Sequence, residues 1–232
     1  MYRERTVGAV ILAAGRSSRM GQDINKVYRE ILGKPVLTHS IENFLGSEIV
    51  DEVVLVFNEE EEGLLEEKAL GCLDHDLSGI TVRRVPGGEK RQDSSRVGVR
   101  ASESDYVCIH DGARPNFSSD LIVKLLDATV EHGAAFPGVK PVDTIRANNQ
   151  GYAGSTIDRD RYVKVQTPQC FKKGLHLDAI NEAVESGRYF TDDAGMVMEL
   201  GGVRPRVVEG ERSNVKITTA KDTRLIEVLM SS

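Results

Sequence analysis

VGAVILAAGRSSRMGQDINK, residues 7–26, opens on a short apolar run with a β-branched bias, Val7 to Leu12, which the small cluster Ala13-Ala14-Gly15 ends abruptly. The pattern predicts a buried strand feeding a tight glycine-containing loop. Arg16, Ser17, Ser18 and Arg19 follow in that loop, and Lys26 lies seven residues beyond Arg19. Small residues, free backbone N–H groups and cations gathered beyond a strand end are the ingredients of a phosphate site. Two familiar phosphate loops do not fit. No GxxxxGK[ST] string occurs, and Gly15 and Gly21 lack the GxGxxG spacing of a dinucleotide fingerprint.

Working outward, the remaining strands and helices alternate. Val36, Leu37, Ser40, Ile41, Phe44 and Leu45 recur at helical spacing between Pro35 and Gly46. Glu52 to Phe57 reads as a second strand, followed by the acidic run Glu59 to Glu62 and a helix through Lys68; the run itself reads as a solvated face. Ile80 to Val85 reads as a third strand, running into Pro86-Gly87-Gly88-Glu89-Lys90-Arg91-Gln92-Asp93-Ser94 and a helix. Tyr106 to His110 reads as a fourth, ended by Asp111-Gly112-Ala113-Arg114-Pro115, with Ser118 or Ser119 capping a helix that Gly133 closes. Such alternation implies an α/β fold with one mainly parallel, doubly wound sheet, and ligands of such sheets collect beyond the carboxyl ends of the strands. The loops after the first, third and fourth strands all fall on that edge.

Residues 141–163 break the rhythm. The segment is polar, contains Asn148-Asn149-Gln150-Gly151, and reads as a protruding β-hairpin arm turning near 149–151. An arm without packing surface on its own domain commonly finds a partner. Regular structure resumes at Tyr162 to Gln166, followed by a helix over about 174–186, a helix opened by Thr191-Asp192-Asp193 and ending at Leu200, a short strand Val215 to Ile217, and a terminal helix with Thr219 and Asp222 spaced as a capping box. No linker divides residues 1–232, so a single domain is expected.

The length and the 40% hydrophobic content suit a core that buries roughly 70% of the unfolded surface. Thirty Lys and Arg against 36 Asp and Glu leave a net charge of −6, which argues against nucleic acid or an acidic membrane as partner, so any phosphate is held locally. Cys72, Cys108 and Cys170 are odd in number and form no CxxC, which suggests neither a disulfide framework nor a zinc site. The N-terminus lacks a signal-peptide core and no apolar run reaches a membrane-spanning length, so a cytoplasmic protein is expected. Asp111, at a strand end, is placed to hold a divalent cation, since magnesium typically takes one or two carboxylates plus substrate phosphates. His110 reads as a packed residue, and the acidic pair Asp192-Asp193 reads as helix-start stabilisation unless something opposite recruits it.

The first loop, AAGxSxRM with its lysine, resembles the signature of nucleotidyltransferases that activate sugar and polyol phosphates, with Ser17 where those families usually have glycine. Together with GGEKRQDS, HDGARP (110–115), TPQCF (167–171), TDDAG (191–195) and VEGERSNVKIT (208–218), it resembles the 2-C-methyl-D-erythritol 4-phosphate cytidylyltransferase family nearly end to end. Further departures are Val27 after the lysine, where glutamine is usual, and Gly112 in place of alanine. The resemblance implies a Rossmann-like nucleotidyltransferase fold, magnesium and CTP, and a homodimer with exchanged arms. It implies that Ala13, Ala14, Gly15, Gly88, Glu89 and Ser94 hold the cytosine ring and its surroundings. Arg19, Lys26 and Lys216 would surround the triphosphate, and Asp111 would bind the metal. Thr144, Arg159, Thr167, Thr191 and Lys216 would contact the polyol phosphate, with Arg159 reaching over from the second subunit. The reaction implied is in-line attack of the polyol phosphate on the α-phosphorus of CTP. Ribitol 5-phosphate is the alternative substrate, and a regulator that has lost catalysis is a more distant alternative, disfavoured by the charged residues present.

Overall fold

The computed structural model describes residues 2–15 and 25–231. Its centre is an eight-stranded sheet. The strands met first along the chain are β1 (Val7–Leu12), β2 (Glu52–Phe57), β3 (Thr81–Pro86) and β4 (Tyr106–Asp111), all parallel to their neighbours in the order β4-β1-β2-β3. Next come β5 (Ala134–Val139), the hairpin strands β6 (Arg146–Asn149) and β7 (Tyr152–Thr156), and then β8 (Lys164–Val165), β9 (Gln169–Lys172) and β10 (Arg206–Glu209). The sheet continues past β4 through β9, β5 and β8, each antiparallel to the strand before it, while β10 lies parallel on the other edge of β5. The sheet is therefore mainly parallel and mixed at one end.

Helices cover both faces because strand residues alternate between them. Val7, Ala9, Ile11, Leu55 and Cys108 face α1 (Val36–Leu45) and the later helices α3 and α6, whereas Val10, Val54, Val56 and Ile109 face α2, α4 and α5. Here α2 is Arg91–Ala101, α3 Ser119–His132, α4 Lys173–Glu185, α5 Asp193–Leu200 and α6 Ala220–Met230. The capping signals act as expected. The Ser118 hydroxyl accepts from the Leu121 N–H, Gly133 closes α3 at φ +85°, and Asp222 accepts from the Thr219 N–H. Helix α2 lies close on the sheet because Gly98 has no side chain: a Cβ there would stand 2.5 Å from Val10 Cγ1 and 2.6 Å from Val56 Cγ2.

Three expectations need correction. After the 3-10 turn Glu59–Glu61, most of the helix expected through Lys68 is a π-turn, Leu65–Leu70. Val215 to Ile217 is no strand: one bond, from Ile217 N–H to the Ala113 carbonyl, joins it to the sheet side, and the opposing segment runs into Pro115, which has no N–H to continue a ladder. The regular structure expected over Tyr162 to Gln166 is confined to the short strand Lys164–Val165, and β5, β9 and β10 complete the sheet where no strand was expected. The arm forms its own two-stranded sheet with a two-residue loop, Gln150 at φ +53° and Gly151 at φ +95°, the left-handed pair that a tight hairpin needs. Cys72, Cys108 and Cys170 are free thiols, with Cys108 and Cys170 paired across β4 and β9. No helix among the described residues is long and apolar enough to cross a membrane.

Glu52 anchors the sheet edge opposite the strand ends that carry the loops. Its buried carboxylate accepts from Arg83 Nε (2.6 Å), Ser102 Oγ (2.6 Å), Ser104 Oγ (2.9 Å) and the Glu103 N–H (2.9 Å). Burial alone would raise its pKa, but the Ser102, Arg83 and Ser104 donors outweigh it and hold it below the usual value. A carboxylate whose pKa is depressed on folding stabilises above its unfolded pKa, and that contribution is lost as pH falls toward the folded value. Wild-type protein is therefore expected to lose stability as pH drops below about 4.5. Glu52→Gln should be less stable at pH 7 and show a flatter acid limb in urea midpoints taken across that range. Gly98→Ala should cost roughly 1–3 kcal/mol by overpacking, more than the ~1 kcal/mol that alanine gains in a helix interior. Gly174→Ala, in α4 where a new Cβ meets nothing within 4 Å, should not destabilise in the same urea titration.

Candidate active site

Beyond the carboxyl ends of β1, β3 and β4 lies a cleft of about 640 Å³, lined by Ala13, Ala14 and Gly15 on one side and by Gly87, Gly88, Glu89 and Ser94 on the other. The small residues are a packing requirement. A Cβ on Gly87 would fall 2.3 Å from the Ala14 Cβ, and one on Gly88 would fall 2.3 Å from the Asp93 Cβ. The two loops approach so closely that only backbone separates them from a ligand. Ser94 is buried and its hydroxyl accepts from the Gly88 N–H at 3.1 Å, fixing the second loop on the first turn of α2. Lys26 reaches the cleft from a 3-10 turn, Lys26–Tyr28, and Lys216 reaches it from the loop before α6.

A second cleft of about 290 Å³ adjoins the first and is lined by Arg114, Thr167, Thr191 and Asp192 among others. Arg91, Asp111 and Lys216 line both clefts and form their common wall. At that wall Asp111, 9% exposed, accepts from Arg91 Nε at 3.1 Å and from Lys216 Nζ at 2.8 Å, with Arg114 Nε 3.6 Å away. Burial would raise the Asp111 pKa, but the Arg91 guanidinium and the Lys216 ammonium hold the carboxyl well below the usual range. Arg114 pays for its own burial with a lowered pKa, and its Nη1 donates to the Asn214 carbonyl at 2.9 Å.

His110 explains how the wall keeps its shape. Its Nε2 stands 3.0 Å from the Arg114 carbonyl, which can only accept, so Nε2 carries the proton. Burial pushes its pKa down to about 3, so the ring is neutral and Nδ1 accepts from the Thr167 hydroxyl at 3.1 Å. That hydroxyl in turn accepts from the Asp111 N–H. The chain from Asp111 through Thr167 and His110 to Arg114 fixes four residues of the site without exposing the imidazole, in keeping with a packed histidine. Asn214, fully buried, donates to the Thr167 carbonyl at 2.8 Å and so ties the turn at Thr167-Pro168 to the loop that carries Lys216.

Of the residues singled out from the sequence, Ala13, Ala14, Gly15, Lys26, Gly88, Glu89, Ser94, Asp111 and Lys216 converge on the first cleft, and Thr167, Thr191 and Lys216 on the second. Ser17 and Arg19 lie outside the described residues. Thr144 and Arg159 line neither cleft; both are exposed on the arm side of the sheet, where the Arg159 guanidinium donates to the Val142 carbonyl. Sequence reading missed Arg91, Arg114 and Asn214. Arg91 and Arg114 stood inside motifs that were quoted, and their position directly after a strand-end loop was the available signal.

The sequence pattern of the 2-C-methyl-D-erythritol 4-phosphate cytidylyltransferase family matches residues 7–232. The chain is 37% identical over 230 residues to the enzyme of that name from Geobacillus thermodenitrificans, covering 97% of this chain and 96% of the relative. It is 38% identical over 227 residues to that from Caldanaerobacter subterraneus, covering 97% and 98%. Among solved structures, 4-diphosphocytidyl-2C-methyl-D-erythritol synthase from Anaerococcus prevotii superposes with a TM-score of 0.85 at 27% identity, covering 98% of this chain and 99% of that one. The 2-C-methyl-D-erythritol 4-phosphate cytidylyltransferase of Thermus thermophilus gives 0.79 at 28% identity over 98% and 100%. With its strand-end loops, twin clefts and full-length match in hand, the chain belongs to the 2-C-methyl-D-erythritol 4-phosphate cytidylyltransferase family.

Proposed function

We propose that this chain transfers the cytidylyl group of CTP to 2-C-methyl-D-erythritol 4-phosphate, releasing pyrophosphate and serving isoprenoid precursor synthesis. The observation that carries the reading is the common wall: a nucleotide-sized cleft and a smaller polar cleft meet at Arg91, Asp111 and Lys216. The cytosine ring lies between Ala13-Ala14-Gly15 and Gly88-Glu89, held by backbone groups, with Ser94 keeping the second loop in place. Lys26 and Lys216 border the triphosphate, and Thr167 and Thr191 border the acceptor; Arg19, outside the described residues, is assigned to the triphosphate by the family resemblance alone.

Two polyanions must meet in this reaction, so the chief task is to neutralise repulsion where charge accumulates, and fixed cations at the junction do this. A phosphate monoester is already nucleophilic, so no general base is required, in keeping with the neutral, enclosed His110. Asp111 fits a magnesium ion that takes its other ligands from phosphate oxygens, because it is an ionised carboxylate that lines both clefts. Bound there, magnesium would neutralise charge on the phosphates. Lys216, now paired with Asp111, is within reach of the same phosphates.

The test is pyrophosphate release from CTP with each polyol phosphate in turn. 2-C-methyl-D-erythritol 4-phosphate is expected to turn over, with a need for magnesium; turnover only with ribitol 5-phosphate would reassign the acceptor, and none with either would overturn the reading. Asp111→Ala should abolish activity while circular dichroism remains native, and full turnover in EDTA would remove the metal from the scheme.

We read residues 1–232 as one cytoplasmic nucleotidyltransferase domain that acts as a homodimer through the arm at about 141–163. The free thiols favour a reducing compartment. The exposed hairpin, with Tyr152 80% exposed, and the fact that Thr144 and Arg159 line neither cleft of their own chain support an arm that completes the partner's site. Arginine suits the task because its planar fork grips phosphate bidentately. Homodimers of Lys26→Ala or of Arg159→Ala should be nearly inactive. A purified heterodimer of the two, built from differently tagged chains, should regain close to half the wild-type turnover, because one of its sites is free of both lesions. An inactive heterodimer would mean that the arms do not cross.

A further inference from the structure

We infer that Asp193 is a positioning residue for the transfer reaction: its buried carboxylate holds the Arg91 guanidinium splayed across the wall between the two clefts. The assignment rests on the function proposed above. Arg91 is the first residue of α2 and stands between two carboxylates, with Nε 3.1 Å from Asp111 Oδ1 and Nη1 2.6 Å from Asp193 Oδ2. Asp193 itself is 2% exposed and lines neither cleft, so it meets no ligand. Its other oxygen, Oδ1, accepts from the Ser95 hydroxyl at 2.5 Å and stands 2.8 Å from His176 Nε2. His176 is fully buried, tilted against the Phe171 ring. The carboxylate is thus gripped by α2 and α4 while it sits in the first turn of α5.

A guanidinium with a single carboxylate neighbour tends to close on it with both arms of its fork. Without the Asp193 charge, Arg91 would fold onto Asp111 and cover the oxygens that open on the clefts. With Asp193 pulling from the opposite side, Arg91 holds Asp111 through Nε alone and its remaining N–H groups stay at the junction. Gln92 reinforces the arrangement one residue on. Its amide accepts from the Phe190 N–H at 2.9 Å and donates to the Arg188 carbonyl at 3.0 Å, fixing the segment that leads into Thr191. The first turn of α2, which bounds the larger cleft, is thereby joined to the segment that bounds the smaller one.

Asp193→Asn keeps the size and removes the charge. The expected result is a fall in kcat of about 10²-fold with the KM for CTP changed by less than about threefold. In an Arg91→Ala background the same substitution should cost less than about twofold, because the residue through which it acts is gone. Ser95→Ala, which removes one donor and leaves the charge, should give an intermediate loss that also vanishes with Arg91→Ala, and it serves if Asp193→Asn does not fold. Independently of substrate, the Arg91 Nη–H chemical shifts in NMR should move in Asp193→Asn, where Nη1 leaves Asp193 for Asp111, and should move in the same direction by less in Ser95→Ala, which leaves the charge. A merely structural role would give the same loss in both backgrounds and leave the KM and the NMR signal without this pattern. Wild-type kinetics in Asp193→Asn, equal losses in both backgrounds, or an unchanged Arg91 signal overturns the inference. Absence of transfer by the wild type would overturn the function proposed above, while the NMR signal would still decide the role of Asp193.

Discussion

The site depends on a buried anion that must be neutralised from several sides. Asp111 lies at the end of a fully buried strand, and an ionised carboxylate in such a place persists only if cations reach it. Arg91 arrives from the start of α2, Arg114 from the turn after β4, and Lys216 from the loop before α6. Removing one partner from a buried cluster of this kind leaves an uncompensated charge, at a typical cost of about 3–5 kcal/mol, so segments far apart in the chain are held to one point. The cations that satisfy Asp111 are also the groups available to phosphates. Stability of the ligand-free wall and affinity for polyanions therefore draw on the same charges.

The sheet supplies the geometry for this meeting. Parallel pairing of β4, β1, β2 and β3 brings their carboxyl ends to one edge, so the loops after β1, β3 and β4 face each other across the larger cleft. The antiparallel strand β9, beside β4, begins after the turn that carries Thr167 and so brings the smaller cleft to the same edge. Close approach then does the rest. Gly87 against Ala14 lets two loops meet without side chains between them, and Gly98 against Val10 and Val56 lets α2 lie low enough for its first turn to reach Asp111.

The parts of the fold that were hidden in the sequence were hidden for local reasons. Strand β5 reads AAFPGV, and Pro137 with Gly138 would ordinarily break a strand. In the sheet these residues fall where pairing passes from β9 to β8, and Gly138 is needed because a Cβ there would crowd Val207 and Val163. Strand β10, RVVE, is mostly exposed and too short to show a burial pattern, and only the parallel partner β5 makes it a strand. Val215 to Ile217 erred in the other direction, since two apolar residues, one on either side of Lys216, remain a loop when no strand edge pairs with them.

What the amino-acid sequence determined by itself was everything set by neighbours in the chain. The β-branched runs of β1, β2 and β4, the Ser118 and Thr219 caps, the Gln150-Gly151 turn and the small residues of the two loops each follow from local sterics and hydrogen bonding. Asp111 was legible as a ligand-facing carboxylate because a strand end and a glycine turn fix its place. The tertiary structure alone decided which charges meet it. Arg91 and Asp193 are 102 residues apart, and Lys216 and Asp111 are 105 apart, so no spacing rule connects them. Asp193 looked like helix-start stabilisation, and only the docking of α2 against α4 and α5 turned it inward. Charge pairing at such separations is fixed by packing, which no local pattern encodes.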